Sequence, residues 1–289
     1  MPAIRGAVLD QIGVPRPYWR SKPISVVELH LDPPDRGEVL VRIEAAGVCH
    51  SDLSVVDGTR VRPVPILLGH EAAGIVEQVG DGVDGVAVGQ RVVLVFLPRC
   101  GQCAACATDG RTPCVVPVPH EVPPTVAALL GCAVLTGGGA VLNVGDPQPG
   151  QSVAVVGLGG VGMAAVLTAL TYTDVRVVAV GHPAALHTAI GLTAPGGRTI
   201  TVGLPPPDVR ISLSPLDFVT EGRSLIGSYL GSAVPSHDIP RFVSLWQSGR
   251  LPVESLVTST IRLDDINEAM DHLADGIAVR QLISFTGDL

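Results

Sequence analysis

The chain has 289 residues, a formal net charge of −8 and an apolar fraction of 46%. That length favours two domains, the acidic balance gives no electrostatic reason to seek nucleic acid or an anionic membrane, and the apolar content excludes a disordered chain. Gly (34) and Pro (25) are abundant and aromatic residues make up only 3%, a mix that suits tight turns around aliphatic strands.

The N-terminus carries Arg5 and runs straight into strand-like sequence, so no secretory leader is read there. Apolar runs are interrupted by Gly, Asp or Pro before reaching the roughly 20 residues that span a bilayer. A cytoplasmic protein without a membrane partner is the expectation. In chain order, strands are predicted over 4–10, 25–31, 38–46 and 74–79, separated by turn signals at Pro33-Pro34, Asp57-Gly58, Asp81-Gly82 and Asp84-Gly85. Between them lie two segments with metal-ligand residue types, Gly47-Val48-Cys49-His50-Ser51-Asp52 and Gly69-His70-Glu71. Alone, each is weak, because a lone Cys is usually a small buried hydrophobe.

Cys100, Cys103, Cys106 and Cys114 follow, four soft ligands within fifteen positions. Zinc favours tetrahedral thiolate coordination, and four cysteines leave no open position, so this site is structural. A pair of disulfides or an iron–sulfur cluster is the alternative. Cys132 and Thr136 come next, four residues apart on a predicted helix.

The apolar run 152–156 leads directly into Gly157-Leu158-Gly159-Gly160-Val161-Gly162, and an Ala- and Leu-rich helical stretch follows over 163–170. A glycine fingerprint between strand and helix is the signature of dinucleotide binding. Gly157 makes the turn, Gly159 lets the backbone approach the pyrophosphate, and Gly162 lets helix and strand pack closely. The run 152–156 reads as a buried parallel strand. The next strand, 175–180, ends in Gly181 where an acidic residue should hold the ribose, and no acid appears until Asp208. Further strands are predicted at 198–202 and 224–228. An amphipathic helix covers 264–274, with Ile266, Met270 and Leu273 on one face, and a last strand covers 281–285.

Taken together and in this order, GVCHSD (47–52), GHEAAGIVEQVG (69–80), the cysteine cluster, GCAVLT (131–136), GLGGVG (157–162), GGRTITVG (196–203) and VRQLISF (279–285) closely resemble the zinc-containing medium-chain alcohol dehydrogenases. The resemblance covers nearly the whole chain. It implies an α/β architecture: a chaperonin-10-like β-rich catalytic domain over 1–140, a Rossmann doubly wound parallel sheet over 141–262, and a return to the catalytic domain over 263–289. It also implies two zinc ions per chain. Cys49, His70 and Cys132 would hold the catalytic one, and the four-cysteine cluster the structural one. Glu71 matches a carboxylate that approaches the metal transiently, and Asp52 an acid that orients His70 through its other ring nitrogen. Ser51 matches the hydroxyl that begins proton removal. Where the family often continues this relay with a histidine the chain has Ser54, so the relay beyond Ser51 departs from the pattern.

For an NAD cofactor, the resemblance places His50 and Arg280 at the pyrophosphate and Thr136, Val202, Gly203 and Leu204 around the nicotinamide, beside Gly157, Gly159, Gly160 and Gly162. The implied activity is reversible oxidation of a small alcohol to an aldehyde or ketone, since zinc lowers the pKa of an alcohol and so favours hydride loss. Two rival functions are oxidation of a formaldehyde–thiol adduct and a non-catalytic zinc scaffold. A homodimer or homotetramer is expected.

The chain departs from the family by two contractions. Only 18 positions separate Cys114 from Cys132, and two strands with their helices are missing after Val180. Losing two central strands leaves apolar surface and backbone groups without neighbours. That argument favours segments lying outside this sequence over a shortened gene product, and an intact mass near 29.8 kDa overturns it.

Overall fold

Valine- and isoleucine-rich segments form strands because β-branched side chains fit a pleated, half-buried surface. The computed structural model describes residues 2–96, 114–181, 185–206 and 208–286. They fall into two units, Met1–Gly131 with Glu254–Leu289, and Cys132–Val253.

In the first unit, β1 (Ala3–Leu9) pairs with β2 (Ile24–His30) and β4 (Ile66–Leu67). A six-stranded sheet joins β3 (Val39–Val48), β5 (Ala72–Val79), β6 (Arg91–Leu94), β7 (Val115–Val118), β12 (Ser259–Ile261) and β13 (Gln281–Ser284) in the order β12-β13-β3-β5-β6-β7. The last strand therefore rejoins the N-terminal sheet, with Gln281 opposite Val48 and Ser284 opposite Ala45. Leu9, Tyr18, Ile24, Val48, Leu53 and Val56 pack with Ile266, Met270 and Leu273, the apolar face read for the C-terminal helix Ile266–Ala274. Burying each large aliphatic side chain stabilises by roughly 1.5–3 kcal/mol.

One helical run, Pro124–Gly145, crosses the boundary between the units. The sequence reading counted its glycines as interruptions, yet the helix continues through them. It is long and apolar enough to span a bilayer by composition, and 89% of its most apolar stretch is buried inside the protein. The helix keeps glycine at 137 because a side chain there would overlap the Val161 carbonyl. Two π-helical stretches, Leu130–Val134 and Ala140–Gly145, flank an α-helical centre. Such turns are rare and concentrate at functional sites.

In the second unit, β8 (Ser152–Val156) and β9 (Arg176–Val180) run parallel, joined by the helix Gly160–Ala169. β10 (Arg198–Thr201) and β11 (Ser224–Gly227) form a separate parallel pair. Among the described residues these two pairs are the unit's strands, fewer than the about six of a complete doubly wound sheet. The expectation of a buried strand at 152–156 fails for this reason. Of its apolar residues only Val155 is buried, and Val178 on β9 is 44% exposed. The unit boundaries fall at 131/132 and 253/254 instead of 140/141 and 262/263. The first lies inside a continuous helix, and β12 is carried by the N-terminal sheet through β13.

Candidate metal centre

The end of β3 delivers Cys49 to the N-terminus of the helix His50–Val56. Cys49 is the N-cap, and Asp52 three residues on turns its carboxylate back to accept the Cys49 amide at 3.1 Å. This capping arrangement satisfies a donor that the first helical turn leaves open. The other oxygen of Asp52 lies 3.0 Å from Nδ1 of His70. His70 and Glu71 sit just before β5, which pairs with β3, so the two ligand-bearing segments meet across the sheet. Cys132 arrives from the π-helical stretch Leu130–Val134. Its neighbour Gly131 lies so close to the Leu94 carbonyl of β6 that a side chain there would overlap it, which fixes that turn against the sheet.

The ligand atoms of Cys49, His70, Glu71 and Cys132 all lie within 4.8 Å of one another. Three of the residues are buried and His70 is nearly so. Tetrahedral zinc with bonds of roughly 2.0–2.3 Å holds its ligand atoms within about 4 Å of one another, so two thiols, an imidazole and a carboxylate converging this closely need only small side-chain shifts to take one zinc ion. Neither Cys49 nor Cys132 is in a disulfide. Burial opposes a charge on His70, but Asp52 and then Cys49 outweigh it and push its pKa up to about 10. Burial pushes the Glu71 carboxyl up to about 7 against the pull of Arg280. Both Glu71 oxygens lack a hydrogen-bond partner among the described residues. A buried carboxylate that accepts no hydrogen bond and stands beside two thiols is the sort of group a metal ion satisfies.

Arg280 was expected at a cofactor pyrophosphate. It is 2% exposed, with Nε 3.6 Å from Glu71 Oε1 and a guanidinium N–H donated to the Val48 carbonyl at 3.5 Å, so it forms part of the wall behind Glu71. Ser51 is half-buried one residue before Asp52, and His50 is exposed at the same helix start. Ser54 donates its hydroxyl to the His50 carbonyl at 2.8 Å, an ordinary helix contact. Cys114 is described and exposed, whereas Cys100, Cys103 and Cys106 lie outside the described residues, as does the structural-zinc assignment that needs all four. Phe96 was not singled out from the sequence. Its ring meets that of His70 edge-on, with centroids 5.4 Å apart at 87°. The signal was there to read: one of four Phe residues, four positions before Cys100.

In the second unit, the glycine fingerprint forms a tight turn between β8 and the helix Gly160–Ala169. Gly157 has φ +97° and donates its amide to the Val180 carbonyl at 2.6 Å. A Cβ on Gly162 would overlap the Gly157 carbonyl, while Gly159 has nothing within 4 Å of where a Cβ would stand. Gly160 is buried at the start of its helix. Thr136 is buried in the long helix, and Val202, Gly203 and Leu204 follow β10 in a segment where Leu204 is 57% exposed.

Comparison with known proteins agrees with this geometry. Residues 35–156 match the family described as alcohol dehydrogenase GroES-like domain, and residues 149–248 match the zinc-binding dehydrogenase family. The chain is 30% identical to NDMA-dependent alcohol dehydrogenase of Amycolatopsis methanolica, covering 92% of this chain and 97% of that one. It is 28% identical to alcohol dehydrogenase B of Mycobacterium tuberculosis, covering 93% and 96%. A zinc-binding-domain alcohol dehydrogenase protein from Burkholderia ambifaria has the same fold, with TM-score 0.86, 26% identity and coverage of 98% and 99%. The chain belongs to the zinc-type medium-chain alcohol dehydrogenase family, with a GroES-like domain and a Rossmann-type domain. The alignment to the mycobacterial protein runs over 362 residues, more than this chain contains, so that relative carries internal segments absent here.

Proposed function

We propose that the protein is a zinc- and NAD-dependent dehydrogenase that interconverts a small alcohol and its aldehyde or ketone. The observation that carries this reading is the buried convergence of Cys49, His70, Glu71 and Cys132. Zinc held there supplies a Lewis acid for the substrate oxygen. Asp52 keeps the His70 ring turned so that its Nε2 faces the ligand set, and Ser51, on the same first helical turn, takes up the substrate proton. Phe96 lends the His70 side of the centre an apolar surface that excludes water. The open ground over Gly159 and the amides at the start of the helix Gly160–Ala169 receive the NAD pyrophosphate. A second zinc in the cysteine cluster, a dimeric or tetrameric assembly and a cytoplasmic location complete the proposal.

The test is absorbance at 340 nm with a panel of alcohols and NAD, together with zinc content by mass spectrometry. Turnover that is lost on chelation and restored by zinc is the expected result. One observation favours a second reading, a zinc-binding scaffold: among the described residues the cofactor sheet is reduced to two parallel pairs. Full zinc loading with no turnover on any alcohol supports it.

A further inference from the structure

Gly47 stands two residues before Cys49 on β3, and its amide donates to the Glu71 carbonyl at 2.7 Å. A Cβ at this position would lie 2.9 Å from Cδ, 3.0 Å from Cγ and 3.2 Å from Oε1 of Glu71. Gly47 is not among the glycines with positive φ, so its backbone accepts an L side chain. What excludes a side chain there is therefore space, and the space is taken by the outer atoms of one flexible group, unlike Gly74 or Gly131, where a Cβ meets backbone.

Glu71 has little freedom to yield. It is 0% exposed, so no swing into solvent is open to it. On one flank stands Arg280, 2% exposed and tied to the Val48 carbonyl. The Cys49, His70 and Cys132 donor atoms lie within 4.8 Å of the carboxylate.

We propose that Gly47 is a positioning residue for the Glu71 carboxyl: the bare backbone at 47 provides the room that sets where that carboxyl stands beside the Cys49, His70 and Cys132 donors. A methyl at 47 drives it toward those ligands and alters how a metal is held. This rests on the metal-centre reading given above. No other residue touching the centre controls Glu71 by absence of a side chain among the described residues.

The experiment is a double-mutant cycle of Gly47→Ala and Glu71→Ala in cobalt-substituted protein, following the absorption that disappears in Cys49→Ser. The zinc release rate is measured in parallel. Gly47→Ala alone is expected to shift that absorption and change the release rate at least tenfold. In the Glu71→Ala background, where Cγ and Cδ are gone, the same substitution should change neither. Equal effects in both backgrounds, or no effect in either, overturn the proposal. If Gly47→Ala fails to fold, recovery of folding in the double variant upholds it and failure of both variants overturns it. Absence of any Cys49-dependent cobalt absorption in the parent protein defeats the metal-centre reading itself. A normal parent with an unresponsive Gly47→Ala defeats only the role of Gly47.

Discussion

Oδ1 of Asp52 lies 3.0 Å from Nδ1 of His70, with both side chains largely buried. That contact leaves Nε2 as the nitrogen available to a metal. Because Oδ2 of the same carboxylate accepts the Cys49 amide, one residue sets the position of two ligands. Asp52→Asn keeps the shape and removes the charge. Outer partners of metal-bound histidines typically contribute 10–100-fold in metal affinity. The variant is expected to lose zinc affinity by about that factor while still folding, as read by competition with a chromophoric chelator. Wild-type affinity in Asp52→Asn would show that the ring is held by its packing alone.

The same contact sets the pH behaviour of the centre. Asp52 and Cys49 push His70 up to about 10 despite burial, so protein stripped of metal holds His70 protonated at neutral pH. Its stabilising effect in that protein is complete below the ordinary histidine pKa, about 6.5, and is lost as pH rises through about 10. Zinc must displace this proton. Zinc binding at pH 7 should therefore release at least one proton beyond those of the thiols, and affinity should fall as pH falls. Calorimetry in buffers of different ionisation heat measures the number. Release confined to the cysteines would place His70 outside the ligand set.

Much of this was readable beforehand, for a physical reason. Strands 152–156, 198–202 and 281–285 were legible because β-branched runs between turn signals have few alternatives, and they appear within about a residue of their expected limits. Cys49, His70 and Cys132 were legible only as an ordered set, since nothing in the spacing of 49, 70 and 132 places three side chains together. That requires β3 and β5 to pair. The contact of Arg280 with Glu71 is not legible in the sequence, because the two lie 209 positions apart and no local pattern pairs them. The helix Pro124–Gly145 was obscured by glycines that are close-approach points, and sequence alone does not separate these from breaks. The exposure of β8 and β9 follows from neighbouring strands absent among the described residues, a matter of neighbours and not of local sequence.

Asp271 ties the segment around Trp19 to the C-terminal helix, accepting from Arg16 Nε at 3.0 Å and from the Trp19 amide at 2.9 Å. Burial works against its charge, but the Tyr18 and Trp19 amides and Arg16 hold its pKa below the usual carboxylate value. Its stabilising effect is thus present above about pH 4 and disappears as pH falls through the lowered value. Asp271→Ala leaves the Tyr18 and Trp19 amides without their acceptor and should cost about 1–3 kcal/mol at pH 7. The gap to wild type should narrow in acid. Urea unfolding at pH 7 and near pH 3 checks both points, and a pH-independent gap would assign the cost to packing.

In the proposed NAD site Gly159 and Gly162 act by different physics, and alanine at each tells them apart. At Gly162 a Cβ overlaps the Gly157 carbonyl, so alanine forces the turn apart and costs stability as well as binding. At Gly159 nothing lies within 4 Å, so alanine fits the protein and obstructs only what approaches from outside. Gly159→Ala should melt as wild type does yet bind NAD at least tenfold more weakly, about 1.4 kcal/mol. Gly162→Ala should lose both. Titration of NAD by intrinsic fluorescence beside a melting curve separates the two cases. Undiminished NAD binding by Gly159→Ala would move the pyrophosphate away from this turn.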